Sequence, residues 1–231
     1  MDLGYFLRQR TSLIRLFYDK ARVPFEQLKR DIEEEVPPWE PPFFDPDTDS
    51  GEPPYLVEWI QAEQTRELVG LLSVSLLSDT LKLYFHELER HFGIRWQDEK
   101  ARKNHFKQGV VEAYRQIIEH VMGEEFRTCP VRFDVIEQVI LARNDFAHND
   151  NFLSFQTRHN AKTLEKHPNP FFVGREDNET ASASWGNFQL EVSREALMAA
   201  IAEVEKLADW VQHNDNVVWE WRRRMQRQEE R

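Results

Sequence analysis

The sequence predicts an all-α helical bundle with a small β-hairpin or irregular insertion before its last long helix. Three observations carry that prediction. Apolar residues recur at helical spacing over most of the 231 residues, the pattern of helices with one buried face. The strand-like runs are short and confined to residues 149–192. Glycine is scarce, eight in all. The glycine-rich fingerprints of nucleotide-binding α/β folds and of hydrolase elbows are missing.

The elements follow in order. Residues 4–35 space Phe6, Leu13, Ile14, Phe17, Phe25, Leu28 and Ile32 as a helix does, and Pro24 splits or kinks the stretch. Residues 36–54 read as an extended loop, because seven of the eleven prolines lie between 37 and 54. Trp39, Phe43 and Phe44 predict that this loop packs back onto the fold. Residues 55–92 carry the strongest helical signal, a broad stripe from Leu56 and Trp59 to Leu83 and Leu88, with Gly93 as its stop. One helix of that length would run about 57 Å, so a kink or break is expected within it. A third helix is predicted over 104–122, followed by a connector to Arg132. A fourth starts at Asp134, where Glu137 fits a capping box. The runs 171–173 and 188–192 predict a small hairpin. Ser193 then caps a last long helix ending in Arg222, Arg223 and Arg224. The whole chain, 1–231, reads as a single helical domain.

The formal net charge is −11, which by itself argues against a general nucleic-acid binder and against an anionic membrane. Its distribution changes that. Residues 31–58 hold ten Asp or Glu and no Lys or Arg. The remainder has 30 basic against 31 acidic residues, a net of −1. The acidic, proline-rich stretch reads as a solvated connector, or as a surface that repels nucleic acid or docks a partner.

Cys129 is the single cysteine, so neither an intrachain disulfide nor a cysteine-based zinc site is expected. The N-terminus lacks a signal-peptide layout. The longest apolar run, 68–77, is ten residues, against about 20 for a membrane span. A soluble, cytoplasmic chain with no membrane partner is expected. His86 and His91 are five apart, about 140° around a helix, so they do not form the zinc-binding H-E-x-x-H pair. No metal and no cofactor is expected.

One segment carries chemistry. An apolar helix runs from Val139 into Arg143, Asn144, Asp145, Phe146, Ala147 and His148. Asn144 and His148 share a face. Arg143 and His148 converge only if the helix ends near His148, or if a second chain completes the pocket. The pattern Arg143-Asn144-x-x-x-His148 resembles the signature of the HEPN superfamily. It also sits where that superfamily has it, at the end of a late helix in an all-α bundle.

The resemblance implies metal-independent RNA cleavage at a homodimer interface, by attack of a ribose 2′-OH on the adjacent phosphate. Arg143, Asn144 and His148 are then the catalytic residues. His148 can act as base or acid, and Arg143 offers a fork of donors to phosphate oxygens. Asn144 orients the site or contacts phosphate. The expected partners are an RNA substrate, a second copy of the chain, and a cognate antitoxin or sensor protein, in a toxin or phage-defence role. Asp145, Phe152, Arg158 and Lys162 are the candidate substrate-binding residues, since Arg158, His159 and Lys162 interleaved with the aromatics Phe152 and Phe155 suit a single strand. Asp145 is also a candidate to hold the tautomer of His148. The alternative is a catalytically inactive HEPN-like module for dimerisation or for binding a partner or nucleotide. Two further basic clusters, Lys100–Arg102–Lys103–Lys107 and Arg222–Arg224, are ordinarily explained by solubility.

Overall fold

A computed structural model describes residues 2–42, 51–148, 156–174 and 188–230. Its helices are α1 (Leu3–Ala21), α2 (Val23–Glu33), α3 (Leu56–Phe92), α4 (Glu99–His105), α5 (Val110–Met122), α6 (Phe133–Ala147), α7 (Ala161–Lys166), α8 (Arg194–His213) and α9 (Asp215–Glu229). The all-α expectation holds for these residues. The hairpin does not form as a ladder. Its two runs meet through one antiparallel bridge, Val173 with Leu190, and Arg158 forms a second with Gln189. Each run is anchored to helices instead, Phe171 N–H to Gln138 and the Val192 carbonyl to the Tyr18 hydroxyl, and no strand extends among the described residues.

α1 and α2 part at Arg22, and Pro24 stands in the first turn of α2, where its missing N–H costs nothing. α3 is one continuous helix of 37 residues, about 55 Å long, and the expected break is absent. No proline interrupts it, and α1, α2, α5, α6, α8 and α9 all pack along it. Its core face, Val74, Leu77, Leu81, Phe85 and Leu88, is fully buried. Gly70 lets the chain approach: a Cβ there would stand 2.9 Å from the Val192 carbonyl oxygen. Gly93 closes α3 at φ 70°, with Ile94 N–H reaching the Glu89 carbonyl at 3.1 Å. Among the described residues α3 alone is long and apolar enough to cross a membrane by composition, and 61% of its most apolar window is buried in the fold.

Three other boundaries differ from the sequence reading. The expected helix over 104–122 is divided by Gly109 at φ 106°, a conformation side chains resist. α6 begins at Phe133 without a side-chain cap. Asp134 pairs with Arg132 at 3.0 Å, and Glu137 is drawn away to His167, 3.0 Å off, so no capping box forms. The last helix is interrupted at Asn214, whose side chain donates to the Trp210 carbonyl at 2.8 Å. Ser193 does cap α8, accepting from Ala196 N–H at 3.1 Å.

The proline-rich loop packs back as expected where it is described. Trp39 meets Tyr55 edge to face with centroids 5.1 Å apart, and the Tyr55 hydroxyl donates to the Glu40 carbonyl at 3.0 Å. Phe43 and Phe44 lie outside the described residues.

Candidate active site

The motif occupies the last turn of α6. One side of α6 lies on α3, where Arg143 Nε stands 4.0 Å from Asp79 Oδ1. Asn144 follows at about 100° around the helix and is half-buried. The helix ends at Ala147. His148 is its C-cap at φ −111° and ψ 21°, and its N–H donates to the Asn144 carbonyl at 2.9 Å. His148 is exposed. The helix therefore stops where the sequence required it to stop if Arg143 and His148 were to share a site. No hydrogen bond or ion pair joins those two side chains among the described residues.

Asp145 is a correction. Two positions from Arg143 is about 160° around α6, so its carboxylate leaves the helix on the other side, and it is 0% exposed. It is sealed from a substrate, and no hydrogen bond joins it to His148 among the described residues. Instead it accepts from His159 Nδ1 at 3.1 Å, from Thr163 Oγ1 at 3.2 Å and from the Asn160 side-chain amide. His159 Nε2 faces a second acceptor, the Phe172 carbonyl oxygen, at 2.8 Å. The ring is held at both nitrogens. A buried imidazole–carboxylate pair thus fastens the segment after the motif to the motif helix. Phe171 N–H to Gln138 Oε1 at 2.7 Å and His167 to Glu137 extend that fastening along α6.

Arg158 and Lys162 are exposed on the segment that Asp145 holds. Phe152 and Phe155 lie outside the described residues. The described ends of the acidic loop meet α2 and the start of α3. Asp79 is 23 positions past Leu56, about 35 Å along α3, so those ends lie far from Arg143.

A row of leucines flanks the Arg143 side. Leu68, Leu72, Leu76 and Leu83 recur on the outward face of α3, with Asp79 among them, and are between 40% and 53% exposed. In the sequence these leucines belong to one broad apolar stripe, because a helix with apolar residues on two faces gives no sign of which face is covered. It also missed Glu89, which accepts from Trp96 Nε1 at 2.5 Å, Tyr114 Oη at 3.0 Å and Arg102 Nη2 at 3.2 Å. Burial opposes that charge, but bonds from Arg102, Trp96 and Tyr114 outweigh it and hold the carboxyl below its ordinary range. Arg102 is thereby a strut between α4 and α3. His91 Nε2 lies 2.8 Å from Asp215 Oδ1, joining α3 to α9.

Compared with protein-family models, curated proteins and solved structures, the chain matches none.

Proposed function

We propose that the chain is a metal-independent endoribonuclease of HEPN type, active as a homodimer, with the role of a toxin or phage-defence effector. What supports this reading is the ending of α6: Arg143, Asn144 and His148 fall in its last turn, with His148 an exposed cap. The chemistry needs a base to take the 2′-OH proton as that oxygen attacks phosphorus. It needs an acid to give the departing 5′-oxygen a proton, and a cation for the phosphate oxygens. The products are a 2′,3′-cyclic phosphate and a 5′-hydroxyl. One chain offers one His148; two chains offer a base and an acid. The exposed leucines of α3 lie beside Asp79 and Arg143, so pairing along them carries both copies of the motif to one interface.

The test is induced expression of wild type against His148→Ala, scored for growth and RNA integrity. It is joined by cleavage assays in EDTA with the purified proteins. Cleavage should fall by about 10²–10⁴-fold in His148→Ala, and comparably in Arg143→Ala, with folding intact and cyclic phosphate at the wild-type product ends. Wild-type cleavage by both variants overturns the site. No cleavage of any RNA by the wild type leaves a helical binding module.

A further inference from the structure

The cations of this acidic chain gather where α3 ends. Residues 95–107 carry five Lys or Arg against two Asp or Glu, and residues 219–228 of α9 carry four Arg against one Glu. Together (5 − 2) + (4 − 1) gives +6, within a total of −11. These distant segments line one cleft of about 290 Å³. Arg95, Trp96 and His105 come from the first segment, Trp221 and Met225 from the second, and His120 from α5.

The lining is largely aromatic, with Arg95 its one Lys or Arg and the other cations in the flanking segments. Trp96 and His105 have ring centroids 5.1 Å apart, and His120 and Trp221 have theirs 4.8 Å apart at 74°. Arg224 stands 6.0 Å from the Trp221 ring. The Trp221 indole N–H is buried and meets no acceptor among the described residues, so a hydrogen bond is not what the fold gains from tryptophan there. Solubility accounts for surface cations; it does not account for an aromatic slot between two groups of them. Flat rings with cations at the rim suit unpaired bases, because every base has a π-face to stack and a phosphate to follow.

We propose that this cleft holds the bases of a single-stranded nucleic acid, with the cations of residues 95–107 and 219–228 tracking its backbone. That the strand is RNA rests on the nuclease reading; the binding does not. Asp79, beside Arg143, lies 14 positions before Gly93, about 21 Å along α3. The cleft is thus a second contact on a strand, apart from the motif.

The test uses full-length His148→Ala protein, which spares the RNA, and a short fluorescent oligouridine read by anisotropy over a salt series. Trp221→Leu should weaken binding by about five- to 150-fold. Trp221→Phe keeps a stacking ring and should bind nearly as the parent does. Joint Lys100→Gln, Lys103→Gln and Arg224→Gln should lower the log–log salt slope by about 2. If Trp221→Leu fails to fold, His120→Ala on its exposed ring serves in its place. Unchanged binding in the folded variants overturns the proposal, as does equal affinity for a duplex that Trp221→Leu leaves untouched. Cleavage by wild type is scored separately. Binding without cleavage keeps the cleft and removes the nuclease; cleavage with binding indifferent to Trp221 does the reverse.

Discussion

Asp145 and His159 meet away from solvent, Oδ2 to Nδ1 at 3.1 Å, with side chains 0% and 3% exposed. Between them they bind the chain that follows the motif to the helix that carries it. Removing the carboxylate leaves the His159 ring, the Thr163 hydroxyl and the Asn160 amide without their acceptor. Asp145→Ala should therefore cost about 1–3 kcal/mol for each buried donor left unpaired and lower the melting temperature, and it should speed proteolysis at Arg158 and Lys162. A variant that melts with the wild type shows the pair to be idle.

The exposed leucines of α3 give a second test. Leu72→Glu with Leu76→Glu alters side chains that are 40% and 47% exposed, so the single chain should keep its fold, within about 0.5 kcal/mol per site. If these leucines pair two copies, light scattering should show a dimer become a monomer, and RNA cleavage should vanish with it. A double variant that stays dimeric excludes this face.

Acid should release α2. Burial opposes the charge on Glu63, but hydrogen bonds from Arg66 and Lys29 outweigh it, and the carboxyl falls from 4.5 to about 2. A folded value below the unfolded one stabilises fully above the unfolded value and is lost as pH drops toward the folded one. Lys29 belongs to α2 and Glu63 to α3. Hydrogen exchange in α2 should thus quicken between pH 4.5 and 2, and Glu63→Gln should already exchange quickly at neutral pH, with less acid response. An acid response identical in both proteins contradicts the assignment.

Gly70→Ala probes the crossing of α3 and the segment before α8. The added Cβ would stand 2.9 Å from the Val192 carbonyl oxygen and 3.1 Å from its Cβ. Helix propensity favours alanine by about 1 kcal/mol, yet the clash moves a backbone. A net loss of about 1–3 kcal/mol is expected, read by denaturant unfolding. A stabilised variant means that Val192 yields easily.

Local signals decided how far the sequence could be read. Pro24, Gly93 and Ser193 each act on their own residues and neighbours, and each boundary they mark is where it was expected. The breaks at Gly109 and Asn214 escaped because apolar spacing continues across both, from Phe106 to Val110 and from Val211 to Val218. α3 is unbroken because six helices support it, which no window of its own sequence records. At the site, the end of α6 was legible from the polar cluster after Leu141. The fate of Asp145 was not, since its partner His159 lies 14 positions on in a stretch without period. Nor was the sharing of one cleft by Trp96 and Trp221, which depends on α9 folding back along α5.

The length of α3 separates the two kinds of charge. Glu33, hydrogen-bonded to Trp59, stands with Glu40, Glu52 and Glu58 around its first turns, and the basic segments stand at its last. The helix's own dipole, positive at its start and negative at its end, favours both arrangements. The molecule thus carries its two kinds of charge about 55 Å apart, the length of α3. In the field of a polyanion it turns before it touches, basic end leading, which raises the encounter rate for that end and lowers it for the other. At physiological ionic strength that torque is felt only within about 8 Å, so orientation is chosen in the final approach.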